Sequence, residues 1–399
     1  MSLRFAERML GEKSNVVKEA LKLTAQPDII SFAGGLPAPE SFPINEIELA
    51  SAKLFVEKGT SAVQYNCMEG LPALRNKIAE RMTSCHNINC TADEIMITSG
   101  SQQGIDMSGR IFLNPGDYVV CESPTYTAAV TTYKNYQANF LAIDTDDEGM
   151  IIEDLAAKLA TCPNAKLIYV IPNYQNPSGK TWSVERRKAL LQYAEQYNIP
   201  IVEDNPYGEL RYEGEELPSI KSMDTKGLVL YMGSFSKVLC PGFRVGYIIS
   251  SPEIMDMLCQ VKQSTDLQSS TFTQMVIFQY LTDNDIDKHI LELRAIYKHK
   301  RDLMLGTMEK CFPKEAKFTY PHGGMFTWVE LPKEIDTQEL FPKAIAKKVA
   351  YIPGATFFPN GGVNNCLRMS YSSSSDEQII KGITALGELF TEAVAALKK

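Results

Sequence analysis

The sequence predicts an α/β protein: a large domain with a mainly parallel sheet of the seven-stranded type between helices, and a smaller α+β domain. Three observations carry that reading. Residues 94–98, 117–121, 166–171, 200–204 and 228–233 are short apolar runs rich in β-branched residues, separated by helix-length stretches. Such strands belong to parallel sheets covered on both faces. Each run is followed by a polar or aromatic group: Ser101, Tyr126, Asn176, Asp204 with Tyr207, and Lys237. No packing rule asks for that regularity, whereas a cleft along the C-terminal edge of the sheet does. Beyond about residue 290 the texture changes to a charged helical stretch followed by alternating segments.

Taken in order, the first thirty residues place Val16, Val17, Ala20, Leu21 and Leu23 on one helical face. Ala33-Gly34-Gly35-Leu36-Pro37-Ala38-Pro39 is irregular, and its glycines let backbone approach a ligand closely. A loop at 64–70 precedes a helix at about 72–84. Residues 94–98 run into Ser99-Gly100-Ser101-Gln102-Gln103 at a helix start, a turn of the kind that cradles phosphate on free N–H groups. Tyr126 follows the next strand. The third strand leads into Pro172-Asn173-Tyr174-Gln175-Asn176-Pro177-Ser178-Gly179, with a helix capped near Ser183. The fourth ends in Asp204-Asn205-Pro206-Tyr207 and the fifth in Ser234-Phe235-Ser236-Lys237, with Arg244 seven residues on. A lysine amine at that edge can form a Schiff base with an aldehyde cofactor when its pKa is lowered. Ser234, Ser236 and Arg244 offer donors to a phosphate. The later part holds a helix at 291–309, strand candidates at 323–330, 349–354 and 366–371, and a closing helix at 375–397.

Composition narrows the class of function. A net charge of -8 argues against non-specific nucleic-acid binding. The nine cysteines are scattered, odd in number and without C-x-x-C, which points to a reduced, cytoplasmic setting. The four histidines have no metal-ligand spacing. No signal-peptide core and no membrane-length apolar run is found.

Asn176-Pro177-x-Gly179, Asp204-x-x-Tyr207, Ser234-x-Ser236-Lys237 and Arg368, in that order, resemble the fold type I, class I/II pyridoxal-phosphate aminotransferases, over essentially the whole chain. Ser31 to Pro37, Ser99 to Gln103 and Gly233 to Lys237 are most similar to the 2-aminoadipate/kynurenine branch. The resemblance implies an arm and part of a small domain at 1–45, a cofactor-binding domain at 46–290 and a small domain at 291–399. It implies that Lys237 carries pyridoxal 5'-phosphate and moves the Cα proton, and that Asp204 faces the pyridine nitrogen. Asn176 and Tyr207 would bond the phenolic oxygen, and Tyr126 would stack on the ring. Ser101, the Gln102 backbone, Ser234, Ser236 and Arg244 would hold the phosphate. Arg368 would grip the α-carboxylate with its planar fork, helped by Asn173, with Gly35 beside the substrate.

The resemblance further implies a homodimer in which Tyr65 reaches the neighbouring subunit's cofactor phosphate. It implies a ping-pong reaction with glutamate or 2-aminoadipate as donor, aromatic amino acids tolerated, and 2-oxoglutarate as acceptor. Members of the branch that prefer acidic donors present an arginine from the N-terminal helix; the matching position here is Lys18, a point charge without a fork. Two alternatives stand beside this reading: an aminotransferase-like transcription regulator, and another reaction of the same cofactor, such as a lyase, on the same scaffold.

Overall fold

The computed structural model describes residues 3–9 and 28–398. The expected N-terminal helical face and Lys18 lie outside the described residues. After a two-residue strand, Ile30–Ser31 (β1), come helices Ile44–Lys58 and Pro72–His86. The main sheet then takes eight strands: Ile95–Thr98 (β2), Tyr118–Ser123 (β3), Asn139–Asp146 (β4), Gly149–Met150 (β5), Ala165–Val170 (β6), Ile201–Asp204 (β7), Val229–Ser234 (β8) and Gly246–Ile249 (β9). Their order is β2-β9-β8-β7-β6-β3-β4-β5. The central run from β8 to β4 is parallel. β9 runs against both its neighbours, and the short edge strand β5 runs against β4, adding an eighth strand to the expected seven.

The smaller sheet is built from Lys317–Phe318 (β10), Phe326–Glu330 (β11), Ile352–Pro353 and Cys366–Ser370. Val349–Ala350 (β12) pairs with β1, so the N-terminal segment is fastened to the C-terminal part of the chain. With Ile352–Pro353 as β13 and Cys366–Ser370 as β14, the small sheet has the order β10-β11-β14-β13 and is antiparallel throughout.

Helix ends follow their capping residues. Ser183 accepts from Arg186 N at the start of Val184–Tyr197, and Ser375 forms a capping box with Gln378 at the start of Asp376–Ala396. The charged stretch expected at 291–309 is the helix Ile286–Cys311, capped by Asp285. Among the described residues no helix is long and apolar enough to cross a membrane, and no group of His, Cys, Asp and Glu could hold a metal.

One line of register explains how distant segments meet. Gly246 on β9 lies opposite Thr98 of β2 on one side and Ser234 of β8 on the other. The turn Ser99-Gly100-Ser101, the end of β8 and the start of β9 therefore share one corner of the sheet. Phe235 N donates to Val245 O at 3.2 Å, which closes the loop carrying Lys237 and brings Arg244 back beside it. The next strand in, β7, puts Asp204 opposite Met232 at the same end.

Gly233, just ahead of that loop, is fixed by packing. A Cβ there would lie 2.1 Å from Cζ of the buried Tyr247 ring on β9. A rigid ring between strands cannot yield cheaply. Gly306, inside the helix Ile286–Cys311, has open space around the same atom. Gly233→Ala is expected to destabilise by about 1–3 kcal/mol, and Gly306→Ala to stabilise by about 0.5–1 kcal/mol. Opposite shifts of the unfolding midpoint check this; shifts of the same sign contradict it.

Candidate active site

A cavity of about 390 Å³ opens at the corner just described, floored by the C-terminal ends of the strands and walled by the segment after β1 and by β11, β13 and β14. Lys237 enters it from the loop after β8, and its Nζ donates to Gly35 O at 2.7 Å. Burial, with Arg368 and Arg244 nearby as further cations, pulls the amine down to about 8. About one amine in ten is therefore neutral at pH 7.

Asp204 ends β7 with its side chain on the cavity face, while its neighbour Glu203 points the other way and accepts from the Ile220 and Lys221 amides. Asp204 Oδ2 accepts from the Tyr169 hydroxyl at 2.7 Å. Its Oδ1 is buried without a partner. Burial pushes the carboxyl up to about 6, opposed by the Tyr169 bond. It is thus still mainly ionised at pH 7, at a cost only a complementary group can offset.

Arg368, on β14, is buried. Nη1 donates to Asn176 Oδ1 at 2.7 Å and Nη2 to Ala33 O at 2.6 Å, while Nε has no partner. Its guanidinium lies 4.2 Å from the Phe326 ring centre and 5.1 Å from that of Phe357, which fixes its plane. Burial lowers it to about 10, so it is charged at neutral pH.

At the other end of the cavity, Ser101 opens the helix Ser101–Phe112, and its Oγ is a third buried atom without a partner. Gly100 caps that helix at φ 74°, and a Cβ on it would sit 2.5 Å from Arg244 Nη2. Only a glycine lets the turn and the guanidinium come this close. Ser236 N donates to Ser234 Oγ at 3.1 Å, and both serines line the cavity. Gln102 also lines it, but its side chain donates to Thr132 Oγ1 at 2.7 Å, leaving its backbone for any ligand. Tyr126, at the start of the helix Thr127–Asn135, and Tyr207, edge-on to Phe326 at 5.7 Å, complete the wall.

The orphaned atoms define what fits. Helix-start N–H groups, Ser101 Oγ and Arg244 suit a phosphate. Asp204 Oδ1 suits a protonated ring nitrogen. Lys237 suits an aldehyde and Arg368 a carboxylate. That donor set matches pyridoxal phosphate joined to an amino acid.

One expected residue falls elsewhere. Asn173 does not line the cavity. Its Oδ1 accepts from Arg187 Nη2 at 2.6 Å, and its Nδ2 donates to Asn205 Oδ1 at 2.9 Å. The chain turns back at Tyr174, φ 49°, so Asn176 and not Asn173 faces Arg368. Tyr65 is 79% exposed and outside the cavity. Lys18 lies outside the described residues. Sequence reasoning also missed Tyr169, Phe326 and Phe357. For Tyr169 a signal existed: a tyrosine in an otherwise aliphatic buried strand needs a partner for its hydroxyl.

Comparison with known proteins agrees with this geometry. The profile of the family described as aminotransferase class I and II matches residues 28–386. The aromatic-amino-acid aminotransferase 1 of Thermococcus litoralis is 44% identical over 392 residues, covering 97% of this chain and 94% of the relative. The kynurenine aminotransferase of Pyrococcus horikoshii, solved with PMP, superposes with a TM-score of 0.94 at 41% identity, covering 98% of this chain and 97% of that one. The α-aminoadipate aminotransferase of Thermus thermophilus, solved with N-(5'-phosphopyridoxyl)-L-leucine, superposes with a TM-score of 0.91 at 36% identity, covering 98% of each chain. With the lysine, carboxylate and arginine converging as that chemistry requires, the chain belongs to the class I and II aminotransferases and is a pyridoxal-phosphate-dependent enzyme.

Proposed function

We propose that the protein transfers the amino group of an L-amino acid to a 2-oxo acid by a ping-pong reaction, with glutamate, 2-aminoadipate and aromatic amino acids as donors and 2-oxoglutarate as an acceptor. The observation that carries this is the convergence of Lys237, the unpartnered Asp204 Oδ1 and Arg368 on one cavity. Pyridoxal phosphate supplies an aldehyde that takes up the amino group and a ring that accepts the electron pair left at Cα. Lys237 would hold the cofactor through its amine and, as a neutral amine, would take up the proton from the substrate Cα. Asp204 keeps a proton on the ring nitrogen by its negative charge. Arg368 fixes the α-carboxylate. Its present partners, Asn176 Oδ1 and Ala33 O, are neutral acceptors that an anion outcompetes. Ser101, Ser234, Ser236 and Arg244 anchor the phosphate, and Tyr126 covers the ring.

The substrate range rests on the wall beyond Arg368. Among the described residues that line the cavity, Lys237, Arg244 and Arg368 are the cations, and each has a role already. Phe326 and Ile352 add apolar surface. Such a wall accepts an aromatic side chain, and relatives named for aromatic amino acids and for 2-aminoadipate support both substrate types. In this reading Lys18 supplies the contact to a distal carboxylate. Half-reactions followed by absorbance give the test. Lys18→Ala is expected to lower kcat/KM for glutamate and 2-aminoadipate about tenfold, a loss near 1.4 kcal/mol, and to spare phenylalanine. An equal loss for all three removes Lys18 from the site.

The assembly proposed is a two-fold homodimer. Leu49, Phe55, Val56, Val63 and Tyr65 form an exposed apolar run on and just after the helix Ile44–Lys58, with Val56 87% exposed. Monomers seldom leave so much apolar surface uncovered. In the dimer Tyr65 serves the neighbouring subunit's phosphate. Sedimentation during turnover should show the active species at twice the mass of one chain; a fully active monomer contradicts both statements.

A further inference from the structure

Asp204 has a single hydrogen-bond donor among the described residues, and that donor sits in the interior of the sheet rather than in the cavity. Tyr169 belongs to β6, next to β7 in the sheet, and is 1% exposed. Its hydroxyl meets Asp204 Oδ2 at 2.7 Å. The other oxygen, Oδ1, is left without a partner on the cavity side. The two oxygens of one carboxylate are therefore divided between the protein and the ligand.

The Tyr169 ring is itself held. Tyr133, from the helix Thr127–Asn135, packs edge-on against it at 5.9 Å and 69°. The Tyr133 hydroxyl lies 3.0 Å from Ser108 Oγ. Ser108 gives its own proton to Ile105 O at 2.7 Å, so Tyr133 is the donor in that pair. A serine on the helix that begins at Ser101 thus fixes one tyrosine, which fixes the next, which fixes the carboxylate. A phenylalanine at 169 would fill the same space and leave Asp204 buried with no hydrogen bond, so the hydroxyl serves the carboxylate and not the packing.

We propose that Tyr169 is a positioning residue for Asp204: it holds Oδ2 so that Oδ1 is presented, free of competing partners, to the ring nitrogen of the cofactor. The proposal rests on the reading that Asp204 faces that nitrogen. An aspartate side chain has three staggered χ1 wells and a broad, roughly two-fold terminal torsion. A donor on one oxygen removes that freedom. It also withdraws charge from the carboxylate, which keeps Asp204 a weaker base than the nitrogen it faces, and the proton stays on the ring.

Pyridoxamine phosphate is the probe, because it lacks the aldehyde and cannot attach to Lys237. Its affinity for the cofactor-free protein is measured in wild type, Tyr169→Phe, Asp204→Ala and the double variant. Tyr169→Phe should weaken binding about tenfold, the worth of one hydrogen bond to a charged group. In the Asp204→Ala background the same change should cost less than about twofold. With ring-labelled probe, the 15N resonance in Tyr169→Phe should move toward the unprotonated position. Equal losses in both backgrounds make Tyr169 a packing residue and overturn the proposal. A loss in Asp204→Ala with none in Tyr169→Phe overturns the proposal and leaves the reading of Asp204 standing. No loss in Asp204→Ala overturns both. Should Tyr169→Phe fail to fold, 3-fluorotyrosine at 169 keeps the shape and strengthens the donor. The resonance then moves toward the protonated position, and an unmoved resonance overturns the proposal.

Discussion

An ionised carboxylate in the interior of a sheet, with one oxygen unpartnered, is costly to a fold. Asp204 is held in that state because its surroundings allow no escape. β7 is flanked by β6 and β8, Tyr169 occupies one oxygen, and the backbone alternation that sends Glu203 to the opposite face sends Asp204 to this one. The charge is offset when a cation arrives at Oδ1. The rest of the site follows from that need. Lys237 and Arg368 line the same cavity as basic groups, and their own departures from ordinary pKa values come first from burial.

The sheet corner is what makes the cavity possible. Three strand ends, β2, β9 and β8, are aligned at Thr98, Gly246 and Ser234. Antiparallel pairing of β9 returns the chain so that Arg244 stands beside the helix start at Ser101, and Gly100 removes the one atom that would keep them apart. β14, which carries Arg368, belongs to the smaller sheet, and Ala33, fastened to it through Arg368 Nη2, follows the strand that pairs with β12. Arg368 is thereby tied to the segment whose Gly35 O accepts from Lys237 Nζ.

Much of this was legible before any coordinates. The apolar strands β6, β7 and β8 stand out because both their faces are buried, and Asn176, Tyr207 and Lys237, which follow them, line the cavity. What was not legible has physical causes. β4, Asn139–Asp146, lies next to the edge strand with only Phe140 and Ile143 of its eight residues buried, and its apolar run, 140–143, is short, so its signal is weak. β9 opens on Gly246 and reverses direction, against the pattern of its neighbours. The choice between Asn173 and Asn176 depends on one backbone torsion at Tyr174, which no residue count reveals. Tyr169 reads from sequence as core, and only the distance to Asp204 gives its hydroxyl a task.

The central claim is that Lys237 is the amine that carries the cofactor. Borohydride reduction of the loaded protein followed by peptide mapping tests it most directly. The account predicts that the reduced phosphopyridoxyl group is recovered on Lys237 alone, and that capture by cofactor-free protein rises as pH passes through about 8, where the amine loses its proton. Recovery on another lysine, or undiminished capture by Lys237→Ala, would contradict it.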